Sequence, residues 1–225
     1  MKLNKFNIDA FNGNGFKGNP ACVIPLNKWI SDKTLLKIAK TNAVPETAFY
    51  VIEDNIIYLR WFTPEIEMDL CGHATLATAH CLKERYNYFN DFIIFHTAKG
   101  EITVKFKNGK YQMSLPKRVP QVSELPDIIS RSLNIQPLEC YKSRDYILVY
   151  PSENDINNII VDKKILDKIN LDPGGVVVTS KGDSVDFVSR YFTPQSSILE
   201  DPATGSSHCS LVPFWSQKLN KTNLI

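Results

Sequence analysis

Two segments of this chain place a glycine where a loop enters a helix-forming run: Gly72-His73-Ala74-Thr75 and Gly205-Ser206-Ser207. At a helix start the first N–H groups lack intrahelical partners and the positive end of the dipole faces outward. Each segment can therefore hold a small anion, above all a carboxylate. The same donors would stabilise negative charge developing on that anion during proton abstraction. One such segment reads first as a tight turn with capping hydroxyls; two at matched positions point to function. Gly72, Ala74, Gly205 and Ser206 are accordingly the candidate substrate-binding residues.

Groups able to move a proton lie near these segments. Glu46 sits in Val44-Pro45-Glu46-Thr47-Ala48-Phe49, between a helical run and an apolar strand, where apolar neighbours would desolvate it and raise its pKa towards the range of a general base. Spacing alone leaves this open against a solvated turn residue. Asp201 stands five residues before Ser206, and Pro202 after it keeps the loop extended, so that the carboxylate could aim across the helix start. Glu200 beside it reads as the solvated member of the pair. His73 can donate a hydrogen bond or shuttle a proton, whereas His96 and His208 read as structural. A metal shared among His73, His80, Cys71 and Cys81 is disfavoured, because no pair has the i, i+4 or CxxC ligand spacing. Gly13-Asn14-Gly15-Phe16-Lys17-Gly18 matches GxGxxG literally, but a dinucleotide fingerprint must open a helix, and Pro20 followed by Ala21-Cys22-Val23-Ile24 indicates a return strand.

The elements that must position these groups occur twice. Arg60-Trp61-Phe62-Thr63-Pro64 recurs as Arg190-Tyr191-Phe192-Thr193-Pro194, and the same offset pairs Asp32-Lys33 with Asp162-Lys163 and Leu36 with Leu166. In this ungapped register Glu46 falls opposite Val176. Each copy reads as a helix (32–40; 162–169), an apolar strand (47–52; 176–179), a turn, a second strand running into the motif, a loop, and a further helix (74–84; 206–218). Two copies at so long a period signal an internal duplication rather than a solenoid. Alternating strands such as Glu101-Ile102-Thr103-Val104-Lys105-Phe106, followed by Asn108-Gly109, predict antiparallel hairpins around one long helix per half. The fold class expected is α+β, in two pseudo-symmetric halves covering 1–118 and 119–225, with the boundary where Pro116 and Pro120 break the pattern. In the first half, strands and a hairpin (91–115) follow the helix. The second half stops at Ile225 just after its helix, so it is expected to be truncated, or to be completed by a partner chain.

Lys+Arg of 26 against Asp+Glu of 24 gives a net charge of +2, too balanced for a nucleic-acid footprint or a membrane-surface patch. Five scattered cysteines without CxxC spacing argue against a disulfide framework and fit reduced thiols in the cytoplasm. The N-terminus has no export-signal pattern, and no apolar run approaches the ~18 residues of a membrane span.

The segments Gly18-Asn19-Pro20-Ala21, Pro45-Glu46-Thr47-Ala48-Phe49, Arg60-Trp61-Phe62-Thr63-Pro64, Leu70-Cys71-Gly72-His73-Ala74-Thr75 and Glu200-Asp201-Pro202-Ala203-Thr204-Gly205-Ser206 resemble, in order, the hallmark segments of the PhzF-like isomerases of phenazine biosynthesis. The resemblance runs from the N-terminus to about residue 220. It implies the diaminopimelate-epimerase fold, each half a barrel-like, mostly antiparallel sheet around a central helix, with the active site in the cleft between halves and a homodimer as the usual assembly. It implies a metal-free and cofactor-free isomerisation in which Glu46 moves a proton between carbons of a small cyclic or amino-acid-like carboxylate. His73, Asp201 and Ser206 match the other site residues. The related racemases use two cysteines, one before each helix-start glycine; here Cys71 is present but Thr204 stands at the second position, which disfavours a two-thiol racemase. Family members continue beyond the length of this chain, the same deficit that the repeat exposes. The competing expectations are a ligand-binding relative that has lost turnover and a cysteine-dependent epimerase.

Overall fold

The computed structural model of the chain describes residues 2–13, 15–88 and 90–225. Asn14 of the glycine-rich loop, Met1 of the N-terminal stretch and Phe89 lie outside them. The chain divides into two compact units, the first ending at Leu115 and the second beginning at Pro116.

The first unit runs β1 (Phe6–Ala10), β2 (Asn19–Leu26), α1 (Asp32–Asn42), β3 (Glu46–Glu53), β4 (Ile56–Phe62), β5 (Glu67–Met68), α2 (Gly72–Tyr86), β6 (Phe92–Thr97), β7 (Gly100–Lys107) and β8 (Lys110–Met113). Its eight strands form one sheet in the order β1-β2-β3-β4-β6-β7-β8, with β5 on β4. Neighbours are antiparallel except β2/β3 and β4/β6. The sheet wraps α2, which touches β1, β2 and β3 at one end of the strand order and β8 at the other. A helix enclosed on several sides needs small residues all round rather than an amphipathic stripe. Gly72, Ala74, Thr75, Ala77, Thr78 and Ala79 are all buried, and Thr75 and Thr78 hide their hydroxyls on the carbonyls of Cys71 and Ala74. On the opposite face, Leu35 and Ala39 of α1 pack with Cys22, Ile24, Phe49, Val51 and Phe62. The glycine-rich loop joins β1 to β2 as a hairpin, closed by Gly13 and Phe16 exchanging backbone hydrogen bonds, and no helix follows it. Gly18 there has φ +80°, and a Cβ would stand 2.4 Å from the Ala10 carbonyl oxygen, so glycine is required by close approach of the backbone.

The second unit runs β9 (Gln121–Val122), α3 (Asp127–Ser132), β10 (Glu139–Lys142), β11 (Tyr146–Val149), α4 (Glu153–Asn158), α5 (Lys163–Leu166), β12 (Val176–Lys181), β13 (Phe187–Phe192), β14 (Glu200–Asp201) and α6 (His208–Leu219). The sheet order is β14-β13-β12-β11-β10-β9, with β11/β12 its parallel pair. Side chains alternate across this sheet. Ile147, Val149, Val177 and Tyr191 pack on Leu211, Phe214 and Trp215 of α6. Leu148, Val176, Val178 and Phe192 pack on Ile129, Ile156 and Leu166 of the three short helices. The run expected as a helix over 162–169 is only the four-residue α5, capped by the Asp162 carboxylate, which accepts from Lys164 N and Ile165 N. Pro213 lies inside α6 and has no N–H to offer the Cys209 carbonyl, which instead accepts from Arg118 N.

The two units repeat one plan: an antiparallel strand pair, a parallel step, a hairpin, a short edge strand and a long helix. The strand register corrects one detail of the ungapped repeat. Thr47 pairs with Phe62, and Val176 pairs with Phe192. Counted from the shared motif, Val176 therefore corresponds to Thr47, and Glu46 corresponds to Gly175. The physical reason is the hairpin. The first turns through Asp54-Asn55, both at positive φ, as a two-residue turn requires; the second is one residue longer and is closed by Gly182 N–H on the Asp186 carbonyl.

Candidate active site

Glu46 opens β3 beside Ala21 of the parallel strand β2. Thr47, Phe49 and Val51 point towards α1, so alternation turns Glu46, Ala48 and Tyr50 towards α2. His73, second residue of α2, meets Glu46 there: Nε2 lies 3.2 Å from Oε2, with side-chain exposures of 3% and 14%. The other ring nitrogen, Nδ1, lies 3.4 Å from Asn19 Nδ2 and 3.6 Å from Cys71 Sγ. An amide N–H can only donate, so Nδ1 accepts in the contact with Asn19, which favours the tautomer protonated at Nε2 on the Glu46 side of the ring. Asn19 is fully buried at the start of β2, and it is the residue of this group that the sequence offered only as part of a motif.

Ligand-type atoms of Glu46, Cys71 and His73 all lie within 4.8 Å of one another, a grouping that spacing along the chain could not reveal because Glu46 comes from another strand. Cys71 approaches Nδ1 and Glu46 approaches Nε2, on opposite edges of one imidazole. Nε2 and Oε2 are close without forming a hydrogen bond in this geometry, so a small reorientation of the ring or carboxylate would bring them into line for proton transfer. His80 is elsewhere, with Nδ1 2.7 Å from the Tyr111 hydroxyl. Burial pushes the Cys81 thiol up to about 11 and raises Cys22, Cys140 and Cys209 as well, so these thiols stay protonated and unreactive.

In the second unit Asp201 ends β14 opposite Tyr191. Its carboxylate accepts from the Thr204 hydroxyl and from Ala203 N at 3.5 Å. It borders a cavity of about 160 Å³ lined also by Tyr191, Thr204, Ser207 and His208. Glu200, its side chain 38% exposed, is also anchored: it takes a two-pronged pair from Arg190 at 2.7 and 2.8 Å, and Arg190 donates as well to the Ile156 and Ile159 carbonyls. Arg60 makes the same fork with Glu67 in the first unit. The repeated motif arginines therefore clamp edge strands. Gly205 and Ser206 lie in a turn just ahead of α6, which begins at His208 rather than at Ser206. His208 donates from Nδ1 to the Thr204 carbonyl at 3.1 Å, and local desolvation of the ring lowers its pKa.

One cluster had no signal in the sequence. Asp145, 1% exposed, accepts from the Tyr191 hydroxyl at 2.9 Å, from Gly175 N at 3.0 Å and from Arg144 Nε at 3.2 Å. Arg144 Nη2 in turn donates to Ser206 Oγ at 2.9 Å. The Tyr191 hydroxyl is raised far above its ordinary value, first by burial and then by Asp145, and so remains a donor. A charged Arg-Asp pair before a strand reads from sequence as solvated; here the pair is interior.

The fold is α+β of the diaminopimelate-epimerase type, with a histidine-carboxylate pair at one helix start. A predicted epimerase of Pseudomonas aeruginosa shares this fold, with TM-score 0.67 at 16% identity over 96% of this chain and 82% of that one. The family profile described as phenazine biosynthesis-like protein matches residues 8–225, and the chain belongs to that family, the PhzF family. An uncharacterized isomerase of Pseudomonas aeruginosa is 42% identical over 224 residues, covering 100% of this chain and 86% of the relative. A crystal structure of a PhzF-family protein from Enterococcus faecalis superimposes with TM-score 0.87 at 41% identity, covering 100% of this chain and 86% of that one. Among the described residues no helix is long and apolar enough to cross a membrane.

Proposed function

We propose that the chain is a cofactor-free isomerase that moves a proton between carbons of a small cyclic or amino-acid-like carboxylate. Glu46 acts as base and then as acid, and His73 holds or relays the proton at Nε2. Asp201 assists proton delivery, while Ser206 and Gly205, in the turn ahead of α6, and Gly72 and Ala74, at the α2 start, bind the substrate carboxylate through hydroxyl and backbone N–H donors. The observation that carries this reading is the 3.2 Å approach of Glu46 Oε2 to His73 Nε2 in a largely dry setting at the α2 start. A carbon acid gives up its proton only to a base held in place and out of bulk water. Family membership and relatives named as isomerases support the reaction class. The proposal places the enzyme in the cytoplasm, where its scattered cysteines would stay reduced, and makes it a homodimer, as the family resemblance implies.

Incubation with candidate carboxylates in deuterated water tests the reading. Wild type is expected to incorporate deuterium at carbon and Glu46→Gln is not; equal incorporation by both removes Glu46 from the mechanism. A second reading, thiol-dependent epimerisation, is favoured by Cys71 lying 3.6 Å from His73 Nδ1. Under that reading Cys71→Ser abolishes exchange, whereas under the first it does not.

A further inference from the structure

The buried cluster of the second unit is not used by the mechanism above, yet it ends on a residue that is. Asp145 gathers the Tyr191 hydroxyl, the Gly175 amide and the Arg144 guanidinium, and Arg144 Nη2 donates to Ser206 Oγ at 2.9 Å. A serine hydroxyl has one proton and can accept through its lone pairs. Because a guanidinium can only donate, Ser206 is the acceptor in this contact, and its own proton is directed away from Arg144. A cation behind the oxygen also polarises the O–H bond, which strengthens its donation to an anion. Ser206 thereby becomes a committed donor rather than a free rotor.

The support for this arrangement is deep in the unit. Arg144 and Asp145 directly precede β11, their side chains are 9% and 1% exposed, and the carboxylate is fixed from three sides by backbone and side chain. The direction that a side chain on residue 175 would take is filled by the Tyr191 ring, 2.7 Å from an idealised Cβ, so that glycine there gives the tyrosine its place on Asp145. Every member constrains the next, and the last constrained atom is Ser206 Oγ.

We propose that Arg144 is a positioning residue for substrate binding: held by Asp145, it orients and polarises the Ser206 hydroxyl as a donor to the carboxylate of the substrate. This rests on the reading of Ser206 as a carboxylate-binding residue. It extends that reading by a residue pair, Arg144 and Asp145, that lies outside the motifs.

Benzoate is the probe, with uncharged benzamide as control, and binding to the full-length chain is followed by NMR titration. Ser206→Ala and Arg144→Gln are each expected to weaken benzoate binding about tenfold or more. The double variant is expected to lose no more than either single one, because the two act through one hydrogen bond. Arg144→Lys, which keeps a donor and the charge, is expected to recover part of the loss, and benzamide binding is expected to stay within about twofold throughout. A merely structural role for Arg144 would instead weaken both probes together. Additive losses, an unchanged benzoate affinity in Arg144→Gln, or failure of wild type to bind benzoate overturn the inference. Where Arg144→Gln does not fold, Arg144→Lys in the wild-type and Ser206→Ala backgrounds decides by the same additivity rule. Deuterium exchange is scored separately. Exchange that depends on Glu46, alongside additive benzoate losses, overturns this inference alone and leaves the isomerase reading standing.

Discussion

Glu46 opens β3 in the first unit, and at the corresponding step of the second unit, counted through paired strands, stands Gly175. Both positions look towards the long helix of their unit. In the first, the side chain reaches His73 at the helix start. In the second there is no side chain, the space is taken by the Tyr191 ring, and a different carboxylate, Asp145, supplies the buried negative charge. The neighbours decide what each carboxylate can do. Glu46 faces an imidazole nitrogen, which can both give and take a proton. Asp145 faces a phenol, a backbone amide and a guanidinium, all donors that do not exchange a proton with it at neutral pH. Under the proposed function, one copy of the plan carries proton-transfer chemistry, and the other carries a rigid scaffold that ends on a hydroxyl.

The contrast breaks most sharply at Glu46. Glu46→Gln keeps the shape and removes the base, so carbon-deuterium exchange is expected to fall by about 10²–10⁴-fold, with the thermal midpoint little changed. A variant that instead unfolds while exchanging normally would make Glu46 the structural carboxylate of the pair. Asp145→Ala is expected to do the opposite. It removes the acceptor shared by Arg144 Nε, the Tyr191 hydroxyl and the Gly175 amide, and leaving buried donors unsatisfied costs about 1–3 kcal/mol each. Urea unfolding is expected to show that loss, and Asp145→Asn a smaller one; a midpoint unchanged in both would show that the cluster does not carry the unit.

Gly175→Ala sharpens the comparison further. The new Cβ would meet the Phe192 carbonyl oxygen and the Tyr191 ring at 2.7 Å, and backbone cannot yield as a flexible side-chain end can. Forced overpacking of this kind costs about 1–3 kcal/mol, measurable in the same urea titration. Thr47→Val is the control, since valine already stands at the corresponding place in the second unit, Val176. A tolerated Gly175→Ala would show that the extra hairpin residue, and not Tyr191, made room for glycine.

Much of this plan was legible in the residues. The repeated Arg-aromatic-Phe-Thr-Pro motif marks β4 and β13, the alternation marks β7, and Asn108-Gly109 marks the turn after it, with both residues at positive φ. The ungapped register failed at β12 because one extra hairpin residue shifts the strand without moving the motif. Helix α4 was missed although Ser152 and Asp155 form a capping box, since its six residues are too few to show a period. The helix read over 162–169 shrank to α5 because tertiary packing of Leu166, not helical propensity, decides so short a segment. In the site, the pairing of Glu46 with His73 needed the parallel step of β2 and β3, which no local pattern encodes. Arg144 and Asp145 carried no signal because burial of a charged pair depends on partners, Tyr191 and Ser206, that are remote in the chain.

The smallest expected effect concerns His208, whose counterpart helix start in the first unit carries His73. His208 is exposed as a residue, but its ring is tied to the Thr204 carbonyl and tilted against the Phe187 ring, and this local desolvation holds its pKa below the ordinary 6.5. The folded state therefore binds this proton less readily than the unfolded chain does. Neutral His208 contributes its stability in full above pH about 6.5, and that contribution is lost as pH falls through 6.5 towards the lower folded value, because the unfolded state takes up the proton first. Thermal midpoints measured between pH of about 7.5 and about 5.5 are expected to decline, and His208→Gln, which keeps a donor to Thr204 without the titration, is expected to flatten the decline. The acidic groups whose pKa values are lowered, Glu139, Asp167 and Asp186, act in a separate window below their ordinary values of 4.5 for Glu139 and 3.8 for the two aspartates. A slope between pH 7.5 and 5.5 that survives His208→Gln would assign it to another histidine, and the two helix starts would then differ in chemistry but not in their response to acid.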